Sequence, residues 1–228
     1  MVKKIISKLN KMAKNFVLIG EAGSGKTELS LSLAAEMQKL GERQVYFLDM
    51  DQTKPLLRAR DSEAFLRRAG VEMPMERQFM DAPTVLPGVM QRLGDPKVCA
   101  ILDIGGGAYG SHMIAQFEEA INSGNTATLY LVNPYRPWSR NREAVEETMR
   151  RTVGAAAIKQ VHIVANPNLG YETDADAIIK GVNKIKELFP EKEILFLCVD
   201  ESLADELEGK DLPDIFPVSI NNLPVWLQ

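Results

Sequence analysis

The stretch Gly20-Glu21-Ala22-Gly23-Ser24-Gly25-Lys26-Thr27 constrains the chain more than any other. It fits G-x-x-x-x-G-K-[ST], and its surroundings decide what the match means. Before it stands Asn15-Phe16-Val17-Leu18-Ile19, a short apolar run of strand type; after it, Glu28 to Met37 reads as a helix. Strand, glycine-rich turn and helix form a phosphate-binding loop. Glycines let successive backbone N–H groups turn inward around an anion, and the helix start adds unpaired N–H groups and the positive end of a dipole. In that reading the loop residues Gly20 to Thr27, with Glu28 behind them, contact a nucleotide. Lys26 reaches the outer phosphates, and the Thr27 hydroxyl holds Mg²⁺.

Bulk properties narrow the class. The chain has 228 residues, 45% hydrophobic and 25% charged, which suits one large α/β domain. A net charge of −4 gives no footprint for nucleic acid, and none is expected as a partner. Cys99 and Cys198 fall in apolar runs on separate predicted strands. Their spacing fits neither a disulfide framework nor a zinc site and points to a reducing compartment. No apolar run approaches the roughly 18 residues of a membrane span. The N-terminus lacks the continuous apolar region of a signal peptide, so the expected location is cytoplasmic.

Residues 1–14 carry Lys3, Lys4, Lys8, Lys11 and Lys14 and no acid, while Val2, Ile5, Ile6, Leu9 and Met12 recur at helical spacing. The pattern predicts a basic amphipathic helix ahead of a single nucleotide-binding domain over 15–228. Such a helix packs on the domain or a partner subunit, or makes weak contact with an anionic membrane surface. Further strands are expected at Gln44–Leu48, Val98–Asp103, Thr126–Val132, Gln160–Ala165 and Glu193–Val199. Helices are expected over 56–69, 111–123, from a Ser139 cap to Val153, over 174–188 and over Glu201–Leu207. A short strand near Arg77–Met80 and a short helix near 87–93 fill a poorly patterned region, and the proline-bearing tail is expected to wrap irregularly. Strands alternating with helices imply a mostly parallel central sheet with helices on both faces.

Several strand ends carry chemistry. The second strand runs into Asp49-Met50-Asp51, at the sheet edge where ligands bind in open parallel folds. A carboxylate there orients or deprotonates an attacking water, or holds a water of the Mg²⁺ shell; the plainer alternative is a turn or cap. The third strand ends in Asp103, a candidate for the metal shell, and Gly106 follows where a backbone N–H can meet a terminal phosphate. Asn166, at the end of a later strand, offers donor and acceptor to a purine edge, or else begins an Asn-Pro turn. In the loop Asn133-Pro134-Tyr135-Arg136-Pro137-Trp138, the aromatic residues are read as wedges on the core, with Arg136 the alternative contact to a partner or nucleotide. His112 and His162 are read as capping or packed residues.

The order of these motifs resembles the MinD/ParA/CobQ-type nucleotide-binding proteins of the SIMIBI class of P-loop NTPases, over most of residues 15–200. The loops Asn133 to Pro137 and Asn166 to Gly170 resemble those of one uncharacterised branch. The resemblance implies phosphate and Mg²⁺ at Lys26 and Thr27, a water-activating Asp51, a metal-shell Asp103, a γ-phosphate sensor at Gly106 and an adenine reader at Asn166. It also implies a homodimer with two ATP molecules at the interface. Many members carry a second lysine just after the first glycine, reaching across the dimer; here that residue is Glu21, with Lys54 or Arg58 as the cations able to stand in. No Asn-Lys-x-Asp guanine signature occurs, which favours ATP over GTP.

Three functions fit. The first is a Mg²⁺-dependent ATPase cycling between ATP and ADP as a switch on a protein partner, with Asp51, assisted by Asp49, orienting water and Lys26 neutralising charge. The second is a kinase passing the γ-phosphoryl group to a small-molecule or polynucleotide hydroxyl, with Arg150 or Arg151 as lid arginine. The third is a nucleotide-loaded adaptor without turnover.

Overall fold

The computed structural model describes residues 2–51, 63–74 and 88–219. Lys54, Arg58, the strand expected near Arg77–Met80 and the first half of the helix expected over 56–69 lie outside them. Among the described residues seven strands form one sheet: β1 (Asn15–Ile19), β2 (Gln44–Asp49), β3 (Val98–Asp103), β4 (Thr126–Val132), β5 (His162–Ala165), β6 (Ile194–Asp200) and β7 (Ile215–Val218). Their spatial order is β2-β3-β1-β4-β5-β6-β7, and every pairing is parallel. The chain steps from β1 outward to β2, back to β3, and then past β1 to β4. The direction of winding therefore reverses around β1, where crevices open at the carboxyl ends of strands.

Alternation along each strand sends successive side chains to opposite faces. Phe16 and Leu18 of β1 join a core with Ile101, Leu129 and Phe196, covered by α1 (Val2–Met12), α2 (Lys26–Leu40) and α3 (63–68). Val17 and Ile19 join the other core with Leu102, Val132 and Leu197, under α4 (Val89–Gly94), α6 (Glu118–Ile121), α7 (Arg142–Ala155) and α8 (Ala175–Leu188). Buried Asn15 pins the amino end of β1: its Nδ2 donates to the Leu93 carbonyl (3.0 Å) and its Oδ1 accepts from the Ala100 N–H (3.0 Å).

The apolar stripe of α1 is used internally. Ile5, Ile6 and Leu9 are buried in the same core as α2 and β7, and Lys4 pairs with Asp214 at 2.8 Å. Burying three aliphatic side chains contributes on the order of 5 kcal/mol, so the stripe is withheld from a membrane surface while α1 stays docked. Of the two expected roles for residues 1–14, the structure shows packing on the domain; what faces outward are the lysines. No helix among the described residues is long and apolar enough to cross a membrane.

Three other expectations change. The tail contains a strand, β7, within the part expected to wrap irregularly: Pro217 interrupts its pattern, but β7 is the edge strand among the described residues, where a missing N–H is tolerated. The helix expected over 111–123 begins earlier, as α5 (Gly107–His112), and reappears after a short turn as α6. The cap of α7 is Asn141, whose side chain accepts from the Ala144 N–H at 2.9 Å, because Pro137–Ser139 forms a separate single turn.

Candidate functional site

The glycine-rich loop leaves the carboxyl end of β1 and enters α2 through Gly25, which has φ 92°. That left-handed backbone favours glycine, and space demands it too: a Cβ on Gly25 would lie 2.1 Å from Asn166 Nδ2. The Asn166 amide donates to the Ser24 carbonyl at 2.7 Å, 142 residues away in sequence. Among the described residues no side chain caps α2, which leaves its first amides for an anion. Lys26 is buried and its Nζ donates to the Glu21 carbonyl at 2.8 Å. The buried Ser24 hydroxyl meets no hydrogen-bond partner among the described residues.

Thr27 and Asp103 meet beside the loop, Thr27 Oγ1 donating to Asp103 Oδ2 at 2.8 Å. β1 and β3 are neighbours in register, with Leu18 opposite Asp103, which brings the two residues together. A hydroxyl and a carboxylate are hard oxygen donors suited to Mg²⁺, which is commonly held by one or two protein groups and completed by water and phosphate oxygens. Among the described residues no group of three or more His, Cys, Asp or Glu stands together as a metal cage. The donor set thus fits a nucleotide-borne magnesium ion.

On one side of the loop stand the acids of the β2 end. Asp49 Oδ1 accepts from the Asp51 N–H at 3.0 Å, so Asp49 shapes the turn that presents Asp51. Asp51 lies against Gly105, with its Oδ1 3.0 Å from where a Gly105 Cβ would stand. Together with Gly106 and Tyr109 it lines a cleft of about 80 Å³. Gly106 packs on the loop itself: a Cβ there would fall 2.8 Å from the Ala22 nitrogen and 2.9 Å from its Cα. Next to it, the largely buried Glu21 accepts from Arg151 of α7, Nη2 to Oε1 2.9 Å. Beneath the pair, burial pushes the Tyr130 phenol far above its usual range; Thr152, by a hydrogen bond, opposes the shift, as does the Arg151 charge, while the Glu21 charge adds to it.

On the other side a cavity of about 280 Å³ opens between the loop and the ends of β5, β6 and β7. Glu28, Asn166, Asn168, Arg136 and Asp200 contribute polar groups, and Leu29, Val199 and Val218 apolar surface. Arg136 donates from Nε to the Gly23 carbonyl at 3.2 Å, while its neighbour Tyr135 donates to the Ala177 carbonyl at 2.5 Å. The loop 133–138 thus both wedges against α8 and touches the glycine-rich loop. Cys198 also lines this cavity, and its burial raises the thiol pKa steeply, keeping it neutral. Cys99, raised to about 12 chiefly by burial and opposed by Arg43 and Lys14, is likewise a neutral thiol.

The residues expected at the site from sequence lie around one loop: Gly20 to Glu28 form it, and Asp51, Asp103, Gly106 and Asn166 border it. Asp200 is an addition from the fold, although it is an acid at a strand's carboxyl end, the signal that singles out Asp51 and Asp103. The Arg151 contact with Glu21 spans 130 residues and leaves no local pattern.

No protein-family model matches the sequence, and no curated protein matches it either. Solved structures do share its fold. The cell division protein FtsY of Thermotoga maritima superposes with a TM-score of 0.58 at 15% identity, over 87% of this chain and 69% of that one. Chloroplast FtsY of Physcomitrella patens gives 0.57 at 16%, over 89% and 68%. The signal recognition particle receptor FtsY of Elizabethkingia anophelis, in complex with GDP, gives 0.55 at 16%, over 89% and 66%. The chain therefore shares the fold of these FtsY structures, a parallel sheet flanked by helices. The likeness does not single out the MinD/ParA/CobQ branch.

Proposed function

We propose that this chain binds a magnesium nucleoside triphosphate, ATP, at the Gly20–Thr27 loop and hydrolyses it slowly, as a switch acting on a protein partner. The observation that carries the reading is the Thr27–Asp103 hydrogen bond at 2.8 Å beside a loop whose lysine is folded over it. Thr27 and Asp103 would hold magnesium, which would supply charge neutralisation at the phosphates. Lys26 would leave the Glu21 carbonyl for the outer phosphates. Asp51, presented by Asp49 against Gly105, would orient or deprotonate the attacking water. Gly106, in contact with Ala22, would report the terminal phosphate to the backbone that follows β3 and so to a partner.

Two observations favour guanine as a second reading of the base. Asp200 lines the cavity, and a carboxylate can accept from two guanine N–H groups, whereas adenine offers one exocyclic amine. The FtsY of Elizabethkingia anophelis was crystallised with GDP. The kinase reading has less support: Arg151 is engaged by Glu21, and Arg150 by Glu147 of its own helix. A homodimer built on a trans-acting loop lysine has none from Glu21, which is paired within its own chain.

The test is release of inorganic phosphate from Mg²⁺-ATP and Mg²⁺-GTP without acceptor. Asp51→Ala should cut turnover by about 10²–10⁴-fold, the usual size of a general-base term, while affinity changes little. Triphosphate consumed only with an acceptor would establish the kinase, and tight binding without turnover the adaptor.

A further inference from the structure

Glu21 places a negative charge on the side of the loop where Ala22 meets Gly106, the side assigned above to the terminal phosphate. Its Oε2 lies 3.6 Å from where a Gly107 Cβ would stand, and its own carbonyl holds Lys26 Nζ. The carboxylate is thus fixed at the junction of the phosphate loop and the backbone after β3. Its side chain is 11% exposed, against 53% for Arg151. A buried carboxylate beside a triphosphate opposes binding unless a cation offsets it, because water does not screen it there. Arg151 supplies that cation at 2.9 Å from α7, an element outside the loop motif.

We propose that Arg151 is a positioning residue for the triphosphate: by pairing with Glu21 it cancels the carboxylate's repulsion of the terminal phosphate and sets the preference for triphosphate over diphosphate. The proposal rests on the nucleotide-site reading above and adds a residue to it. The Glu21–Arg151 pair also joins the loop to α7, which lies against α5, so the charge balance at the loop is coupled to the position of two helices. Arg151 acts through Glu21, not by touching phosphate, and this separates it from a direct phosphate ligand.

The experiment is calorimetric titration in magnesium buffer with AMPPNP, ADP, GMPPNP and GDP. Wild type, Arg151→Ala, Arg151→Lys, Glu21→Gln and the double variant Glu21→Gln/Arg151→Ala are compared. Arg151→Ala should lower the triphosphate-to-diphosphate affinity ratio about tenfold, which corresponds to about 1.4 kcal/mol. The double variant should return it to within about twofold of wild type, because the charge to be cancelled is gone. Arg151→Lys should keep most of the ratio, and Glu21→Gln alone should raise it.

An unchanged ratio in Arg151→Ala overturns the proposal. So does a double variant as impaired as Arg151→Ala, which would make Arg151 a direct phosphate ligand. If Arg151→Ala does not fold, the sign of the Glu21→Gln effect decides, and a lowered ratio overturns it. Binding of none of the four nucleotides by folded wild type would instead remove the nucleotide-site reading itself.

Discussion

The two sides of the glycine-rich loop, Gly20 to Thr27, are built differently. Toward β2 and β3 the walls are mostly backbone: Gly106 lies so close to Ala22 that a side chain on it would collide, and a Cβ on Gly105 would press on Asp51 Oδ1 at 3.0 Å. The charges there, Glu21 with Arg151 and Asp51, sit in fixed positions around the loop. Toward β5, β6 and β7 the walls are side chains, with Asn166 and Arg136 reaching over to bond loop carbonyls at 2.7 and 3.2 Å. A terminal phosphate presents the same oxygens in every nucleotide, so it suits a backbone cradle. A base varies, and side chains at strand ends are what can tell bases apart.

The division makes separable predictions, and the first asks whether the loop is common to both sides. Lys26→Ala should weaken triphosphate binding about ten- to a hundredfold for either base, the loss of one or more hydrogen bonds to a charged group. Titration calorimetry with AMPPNP and GMPPNP checks this. A loss confined to one base would break the comparison, since it would tie the lysine to base recognition.

Gly106→Ala probes the backbone side alone. Its new Cβ would stand 2.8 Å from the Ala22 nitrogen, closer than packing allows, so the loop or the backbone after β3 must move. The expected result is a roughly tenfold fall in triphosphate-over-diphosphate preference, with the adenine-to-guanine ratio unchanged. Asp200→Asn probes the side-chain side. The Asp200 carboxylate accepts from the Ser202 N–H at 2.9 Å and from its hydroxyl at 2.6 Å, and an amide keeps one acceptor for them. A change of about three- to tenfold in the GTP-to-ATP affinity ratio is expected if the base lies there, with the triphosphate preference intact. Crossed effects, base ratio from Gly106 or phosphate ratio from Asp200, would mean the two sides are not independent.

The same contrast explains what could be read from sequence. The side toward β2 and β3, proposed for the phosphate, rests on backbone conformation, which glycines at fixed spacing encode locally, so the loop, Thr27, Asp51 and Asp103 stand out from the residue order alone. The strand ends that bring them together follow from apolar runs of strand length. Contacts by single side chains from distant elements leave no such mark. Arg151 to Glu21 and Asn166 to Ser24 span 130 and 142 residues, and only the sheet order β1-β4-β5 makes the second one short. Pro217 hides β7, because its meaning depends on being at an edge. The buried stripe of α1 reads identically whether it meets lipid or the domain's own α2; composition cannot tell the two, and packing decides.

A final test separates the whole carboxyl edge of the sheet, with both sides of the loop, from its amino edge. His162 begins β5, the strand whose end leads into Asn166. Burial lowers its pKa from the ordinary 6.5, and the charges of Lys192 and Lys8 lower it further. The folded state thus favours neutral His162, and the unfolded chain binds the proton more readily. The stability this contributes is fully present above about pH 6.5 and is lost as pH falls through the lower folded value. His162→Gln cannot titrate, so its Tm should decline less steeply than wild type between about pH 7.5 and 5, as followed by thermal unfolding in dichroism. Nucleotide affinity measured across the same pH range should run parallel in the two proteins. A divergence there would show that protonation at one end of β5 reaches Asn166 at the other, and the loop's two sides would then share a third control.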